Sequence, residues 1–168
     1  MRTNPHILEI NAHNWLKQIK AGLKQENITL ADVPEQDLFE MKAHGFDALW
    51  LMGVWKESPA SCAIAREDKA INDYLSKAAP GYDKADIVGS QYAIYDYTVN
   101  EAFGGNEALL KLKKRLNDFG IKLILDFAGN HLSKDNPLTL TDKDVFVFSD
   151  EEPKAKELFF QTQNGYWL

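Results

Sequence analysis

Apolar residues fall along this chain in short runs, each set off by glycine or by polar residues. The sharpest run is Ile121-Lys122-Leu123-Ile124-Leu125, which ends in Asp126-Phe127-Ala128-Gly129-Asn130-His131. A short, nearly all-apolar segment reads as a strand buried on both faces, as in a parallel sheet. Its polar tail then lies at the strand's carboxyl end, where α/β proteins place their chemistry. Phe46-Asp47-Ala48-Leu49-Trp50-Leu51-Met52 reads as a second such strand, and Ile7 to Ile10, with Asn11 and Ala12, as a first. Helical patterns lie between them. Asn106 to Phe119 carries Leu109, Leu112, Leu116 and Phe119 on one face, three or four residues apart. Ala31-Asp32-Val33-Pro34-Glu35 reads as another helix start, with Asp32 accepting from the orphan amides and Pro34 in the first turn. That helix runs to about His44. Gly45 and Gly120 stop the two helices, and a strand follows each at once. Helix, glycine and buried strand, repeated, predict βαβ units and a parallel sheet with right-handed crossovers.

Other stretches are less regular. His13-Asn14-Trp15-Leu16 follows the first strand. It reads as lip residues of a barrel, or as the start of an amphipathic helix with Leu16, Ile19 and Leu23 as its stripe, and both can hold. Gly53 to Gly105 is far longer than an ordinary loop between strand and helix. It contains Ser58-Pro59-Ala60-Ser61 and a polar stretch around Asn72 to Lys77, and it closes on Tyr92, Tyr95, Tyr97 and Phe103. Sugars expose apolar C–H faces that stack on aromatic rings, so this cluster suits a carbohydrate lip. Core packing also accounts for two or three of the rings. Beyond His131, Asp144 to Phe148 reads as a short edge strand and Asp150-Glu151-Glu152-Pro153, with Lys154 and Lys156, as a solvated helix start. Leu158-Phe159-Phe160 and Tyr166-Trp167-Leu168 are apolar and call for something to pack against.

Composition narrows the classes. The chain has 168 residues, room for one domain, and 45% of them are hydrophobic, enough for a core. A net charge of −6 with no basic stripe argues against a nucleic-acid binder. The single cysteine, Cys62, gives neither a disulfide framework nor a zinc cluster. No apolar run approaches the roughly 18 residues of a membrane span, and the start lacks a signal-peptide core. The expectation is a soluble, cytoplasmic chain with no membrane partner.

Three segments together resemble the α-amylase family of glycoside hydrolases. Leu8-Glu9-Ile10-Asn11 is similar to the family's opening strand. Asp86 to Asn100, with Phe103-Gly104-Gly105, resembles the segment leading into the helix before the third strand. Asp126-Phe127-Ala128-Gly129-Asn130-His131 is similar to the family's first short signature at every fixed position. The resemblance covers roughly Ile7 to Leu168. It implies an α/β fold: an incomplete (β/α)8 TIM barrel of about three parallel strands, with a long loop after strand 2 at about residues 53–105. Residues 1–168 would be the N-terminal portion of that barrel. Tyr92 resembles the tyrosine that stacks on the sugar at the bond to be cut, and His131 the histidine that hydrogen-bonds a hydroxyl of the same sugar. Asn130 resembles an asparagine that binds calcium in many members. Calcium needs about six to eight oxygen ligands, of which the sequence names one. Asp126 resembles a buried aspartate that braces the catalytic arginine and nucleophile, a support rather than the nucleophile. Ala93 and Asn100 stand where an aspartate is frequent.

The bond-breaking groups are not among these residues. A retaining glycosidase needs two carboxylates about 5 Å apart, and the resemblance places both on later strands, the nucleophile in an Arg-x-Asp. Arg66-Glu67-Asp68 has that spacing but no strand before it. A complete barrel takes about 250 residues, so the sequence implies the first part of one, inactive alone. The implied function is hydrolysis or transfer of α-glucosidic bonds by a retaining mechanism, on an α-glucan or maltooligosaccharide. The alternative is a non-catalytic carbohydrate-binding module, or half of a split barrel completed by another chain. A nucleotide-binding doubly wound domain fails for want of a glycine-rich loop or Walker motif.

Overall fold

A computed structural model of the chain describes residues 2–155, 159–162, 165 and 167–168. Lys156 and Leu158 of the expected tail segments, and Tyr166 of the apolar terminus, lie outside the described residues. The chain divides into two compact units. One comprises Met1–Lys56 and Tyr97–Gly129, the other Glu57–Asp96 and Asn130–Leu168.

The first unit is built on a parallel sheet. Strands β1 (Ile7–Asn11), β2 (Ala48–Met52) and β5 (Lys122–Leu125) stand in the order β1-β2-β5, with Leu8 opposite Leu49 and Leu51 opposite Leu125. Helices α1 (Ala12–Leu23) and α2 (Glu35–Ala43) lie between β1 and β2 in the chain, and α5 (Gly105–Asp118) precedes β5. The two glycine stops behave as the repeat predicts. Gly45 and Gly120 both take left-handed φ, +82° and +71°, which lets a strand begin two or three residues after the glycine that ends the helix. Leu49 and Leu51 of β2, Leu112 and Leu116 of α5, and Ile121 are fully buried together with Leu16 of α1 and Leu38 of α2. This one cluster is the core of the unit.

Three details differ from the sequence reading. Only the central strand β2 approaches burial on both faces. Lys122 in β5 is exposed and Leu123, Ile124 and Leu125 are half-buried, because among the described residues β5 and β1 each have a single neighbour in the sheet. Asp32 does not cap α2. Its carboxylate accepts from the Thr29 amide and hydroxyl and closes a short turn at Leu30–Asp32, and α2 starts later, after Pro34. Trp15 and Phe103 are core residues, 7% and 3% exposed, so neither is a lip aromatic.

The long segment after β2 is folded. It holds β3 (Trp55–Glu57), α3 (Pro59–Glu67), α4 (Lys69–Ala78) and β4 (Ile94–Val99), with β3 and β4 paired as a second small sheet. Ser58 caps α3 by accepting from the Ser61 amide, with Pro59 at the first position. Asp68 caps α4 in the same way through Ile71. Beyond His131, α6 (Leu138–Thr141) is one short turn of helix. Lys143–Val145 is a turn where the alternation predicted a strand, and Asp150–Ala155 forms no helix. Among the described residues, no helix is long and apolar enough to cross a membrane.

Leu112 and Leu110 share α5 but not its buried face, the latter being 61% exposed. Leu112→Ala is expected to lower the unfolding free energy by about 3 kcal/mol, and Leu110→Ala by no more than about 0.5 kcal/mol, in urea titrations followed by circular dichroism.

Candidate functional site

The residues singled out from the sequence fall into two groups, one in each unit. In the first unit, Asp126 comes one residue after the last paired position of β5 and is 8% exposed. A carboxylate so placed needs donors. The Trp50 indole N–H donates to Oδ1 and the Gly53 amide to Oδ2, both at 2.8 Å. The Trp55 indole donates to the Asp126 carbonyl at 2.9 Å. Two residues on, the Tyr97 hydroxyl accepts from the Ala128 amide (2.8 Å) and donates to the Ala128 carbonyl (3.0 Å). The Tyr97 ring packs between those of Trp55 and Phe127, with centroids 5.3 and 5.6 Å away. Beyond the sheet, side chains thus take the part that a neighbouring strand plays within it. Trp50 and Trp55 escaped the sequence reading. The available signal was two tryptophans flanking Gly53 at a strand end, since a buried indole N–H seeks an acceptor.

In the second unit, the structure brings Tyr92, Asn130 and His131 together. His131 Nε2 donates to the Tyr92 carbonyl at 3.1 Å, and Nδ1 lies 2.8 Å from the Asn130 side-chain oxygen. The ring is therefore oriented from both sides, and a ligand hydroxyl would have to displace one of these partners. Tyr92 is 40% exposed. Both Tyr92 and His131 line a cavity of about 320 Å³, with Ser58, Ser61 and Ser90 on its wall. That is room for a small ligand, and a hydroxyl-rich wall offers both donors and acceptors.

Asp135 supports this wall. Its carboxylate accepts from the Ser58 hydroxyl at 2.6 Å and the Ala60 amide at 3.0 Å, so it sits on the first turn of α3. Burial pushes the carboxyl up, but the bonds from Ser58 and Ala60 outweigh it and hold it below the ordinary carboxylate range. Sequence reasoning missed Asp135, since nothing along the chain links it to a residue 77 positions away. Glu57 is the opposite case. Burial raises its carboxyl above the ordinary range, and among the described residues its Oε1 has no hydrogen-bond partner.

The Asn130 side-chain oxygen already faces His131, and among the described residues no group of three or more His, Cys, Asp or Glu could hold a metal ion.

The sequence matches the family model described as "Alpha amylase, catalytic domain" over residues 35–165. Among solved structures, an alpha-amylase from Lactobacillus plantarum is 22% identical with a TM-score of 0.55, matching 96% of this chain and 28% of its own. A noncanonic maltogenic alpha-amylase from Thermotoga neapolitana is 21% identical with a TM-score of 0.56 over the same shares. An alpha-amylase from Geobacillus thermoleovorans, solved with acarbose, is 23% identical with a TM-score of 0.51, over 83% of this chain and 26% of its own. This chain thus spans about a quarter of the length of these structures. At such identities the likeness is one of fold: an α/β arrangement that is an incomplete (β/α)8 barrel, with three parallel strands and their helices.

A carboxyl held low when folded contributes stability above its unfolded value and loses that contribution as pH falls through the folded one. Asp135→Asn should therefore flatten the acid limb below about pH 4 in thermal midpoints measured from pH 7 to 2. An unchanged limb would remove Asp135 from the account.

Proposed function

We propose, since this chain belongs to the α-amylase family, that residues 1–168 are the N-terminal portion of the catalytic barrel of an enzyme that hydrolyses or transfers α-glucosidic bonds with retention. The observation that carries the reading is the pairing of Tyr92 and His131 on one cavity wall, joined by a hydrogen bond. The Tyr92 ring offers an apolar face to a pyranose. His131 receives one of its hydroxyls, with Asn130 orienting the imidazole. Asp126 serves as a support. Its two oxygens are anchored by Trp50 and Gly53, and a carboxylate's remaining lone pairs are open to a cationic side chain from a later strand.

In this reading the chain supplies sugar-binding groups and neither bond-breaking carboxylate. Arg66-Glu67-Asp68 is no substitute for the missing Arg-x-Asp. It closes α3, and the Arg66 guanidinium donates to the carbonyls of Ile87 and Ala85. The nucleophile and acid/base would come from further strands. A second reading, half of a split barrel completed by another chain or a binding module without catalysis, is favoured by the apolar residues left exposed in the second unit. Val147 is 83% exposed and Val145 58%.

The 168-residue chain is expected to release no reducing sugar from maltoheptaose yet to bind maltotriose in calorimetric titration. Tyr92→Ala and His131→Ala should each weaken that binding by about tenfold, the size of one stacking contact or hydrogen bond. Release of sugar by the pure chain would overturn the division of labour, and affinity unchanged from that of the unaltered chain in both variants would overturn the site.

A further inference from the structure

Beyond Tyr92 and the serines on the cavity wall, the function just described gives the insertion after β2 no role, yet its packing around Tyr92 is specific. The segment leading to Tyr92 lies directly on helix α3. The Ile87 carbonyl accepts from Cys62 Sγ–H at 3.2 Å and from Arg66 Nε–H at 3.0 Å, both on α3. Ile87 itself is buried at 7% exposure. Further along, the Ser90 amide donates to the Ser61 hydroxyl, and the Tyr92 amide to the Ser90 hydroxyl, each at 3.3 Å. Between these bonds stands Gly89. Its φ is +85°, and a Cβ there would come within 2.9 Å of the Cys62 backbone nitrogen and 3.1 Å of the Ser61 carbonyl carbon. Backbone meets backbone at this point, so no flexible side chain can yield. The helix is in turn held at its first turn by Asp135, four residues beyond His131.

We propose that Gly89 is a positioning residue of the sugar site: by letting residues 87–92 lie on the backbone of α3, it holds Tyr92 where its carbonyl meets His131. The proposal rests on the sugar reading of Tyr92 and His131 and assigns the insertion to that site. Without the close approach at Gly89, the bond from the Ser90 amide to Ser61 and the bond from Arg66 to the Ile87 carbonyl cannot form together, and the Tyr92 carbonyl loses its place against the imidazole. Ser61 is then a lesser member of the same device, because it holds one bond of the set.

The test compares glycines of the same insertion in the whole 168-residue chain. Gly81 has φ +88° and nothing within 4 Å of an added Cβ, so Gly81→Ala carries the backbone strain without the contact. Gly89→Ala carries both. Two readouts apply: maltotriose affinity by calorimetry, and the His131 ring nitrogen signals by NMR in the sugar-free protein. Gly89→Ala is expected to weaken binding by about tenfold or more and to shift the His131 Nε2 signal. Gly81→Ala should leave both as in the unaltered chain. Ser61→Ala adds no bulk and covers the case in which Gly89→Ala does not fold. It is expected to weaken binding by about threefold and to move the same ring signal. Equal affinities in the Gly89 and Gly81 variants, or an unmoved Nε2 signal in Ser61→Ala, would overturn the proposal. If the unaltered chain binds no maltotriose, the sugar reading falls, and the His131 signals alone decide whether Gly89 and Ser61 position the ring.

Discussion

The Asp126 carboxylate is where the first unit turns from structure to chemistry. Inside the sheet, backbone groups satisfy one another. One residue past the last ladder pair that ends, and a buried polar chain becomes costly unless donors meet it. Trp50, Gly53 and Trp55 supply those donors at the exit of β2, and Tyr97 does the same for Ala128. The ends of β2 and β5 are thereby tied together beyond their ladder. Charged acceptor to neutral donor is among the stronger pairings available in a protein. Its position at the strand end keeps the following residues ordered where no sheet holds them.

The second unit solves a similar problem with a similar group. Asp135 accepts from the first turn of α3, where helix amides lack partners of their own. What it secures is a helix on which the chain before Tyr92 is laid, through Cys62, Arg66 and Ser61. Each unit thus uses one carboxylate to fix the place where a regular element begins or ends. Neither carboxylate has the look of a nucleophile, since each is already committed to donors of the chain itself.

Carbohydrate recognition asks for a flat apolar face beside groups that donate and accept. In the proposed site Tyr92 and His131 would provide this from positions 39 apart, joined by a bond from the His131 ring to the Tyr92 backbone carbonyl. Tyr92 stays exposed while its peptide carbonyl meets the imidazole. Gly89 stands where the chain before Tyr92 meets the backbone of α3, and on the proposal above this makes the insertion part of the site's scaffold.

Much of this could be read along the chain. The helix–glycine–strand repeat set out the parallel sheet, because apolar periodicity and left-handed helix stops are local properties. Leu109, Leu112 and Leu116 declared their face of α5 by spacing alone. The motif Asp126 to His131 named the residues of interest through its resemblance to a family. Tertiary structure decided the rest. Only pairing could show that β2 stands between β1 and β5. Only packing could sort Phe103 into the core and leave Tyr92 exposed. The bond from Ser58 to Asp135, the pair of tryptophans on Asp126 and the contact of Gly89 with Cys62 join residues that no periodicity relates. A hydrogen bond depends on where two atoms end up in space, whereas a helix or strand depends mainly on neighbours in sequence. The elements were therefore legible in the sequence, and the partners of Asp126, Asp135 and Gly89 were not.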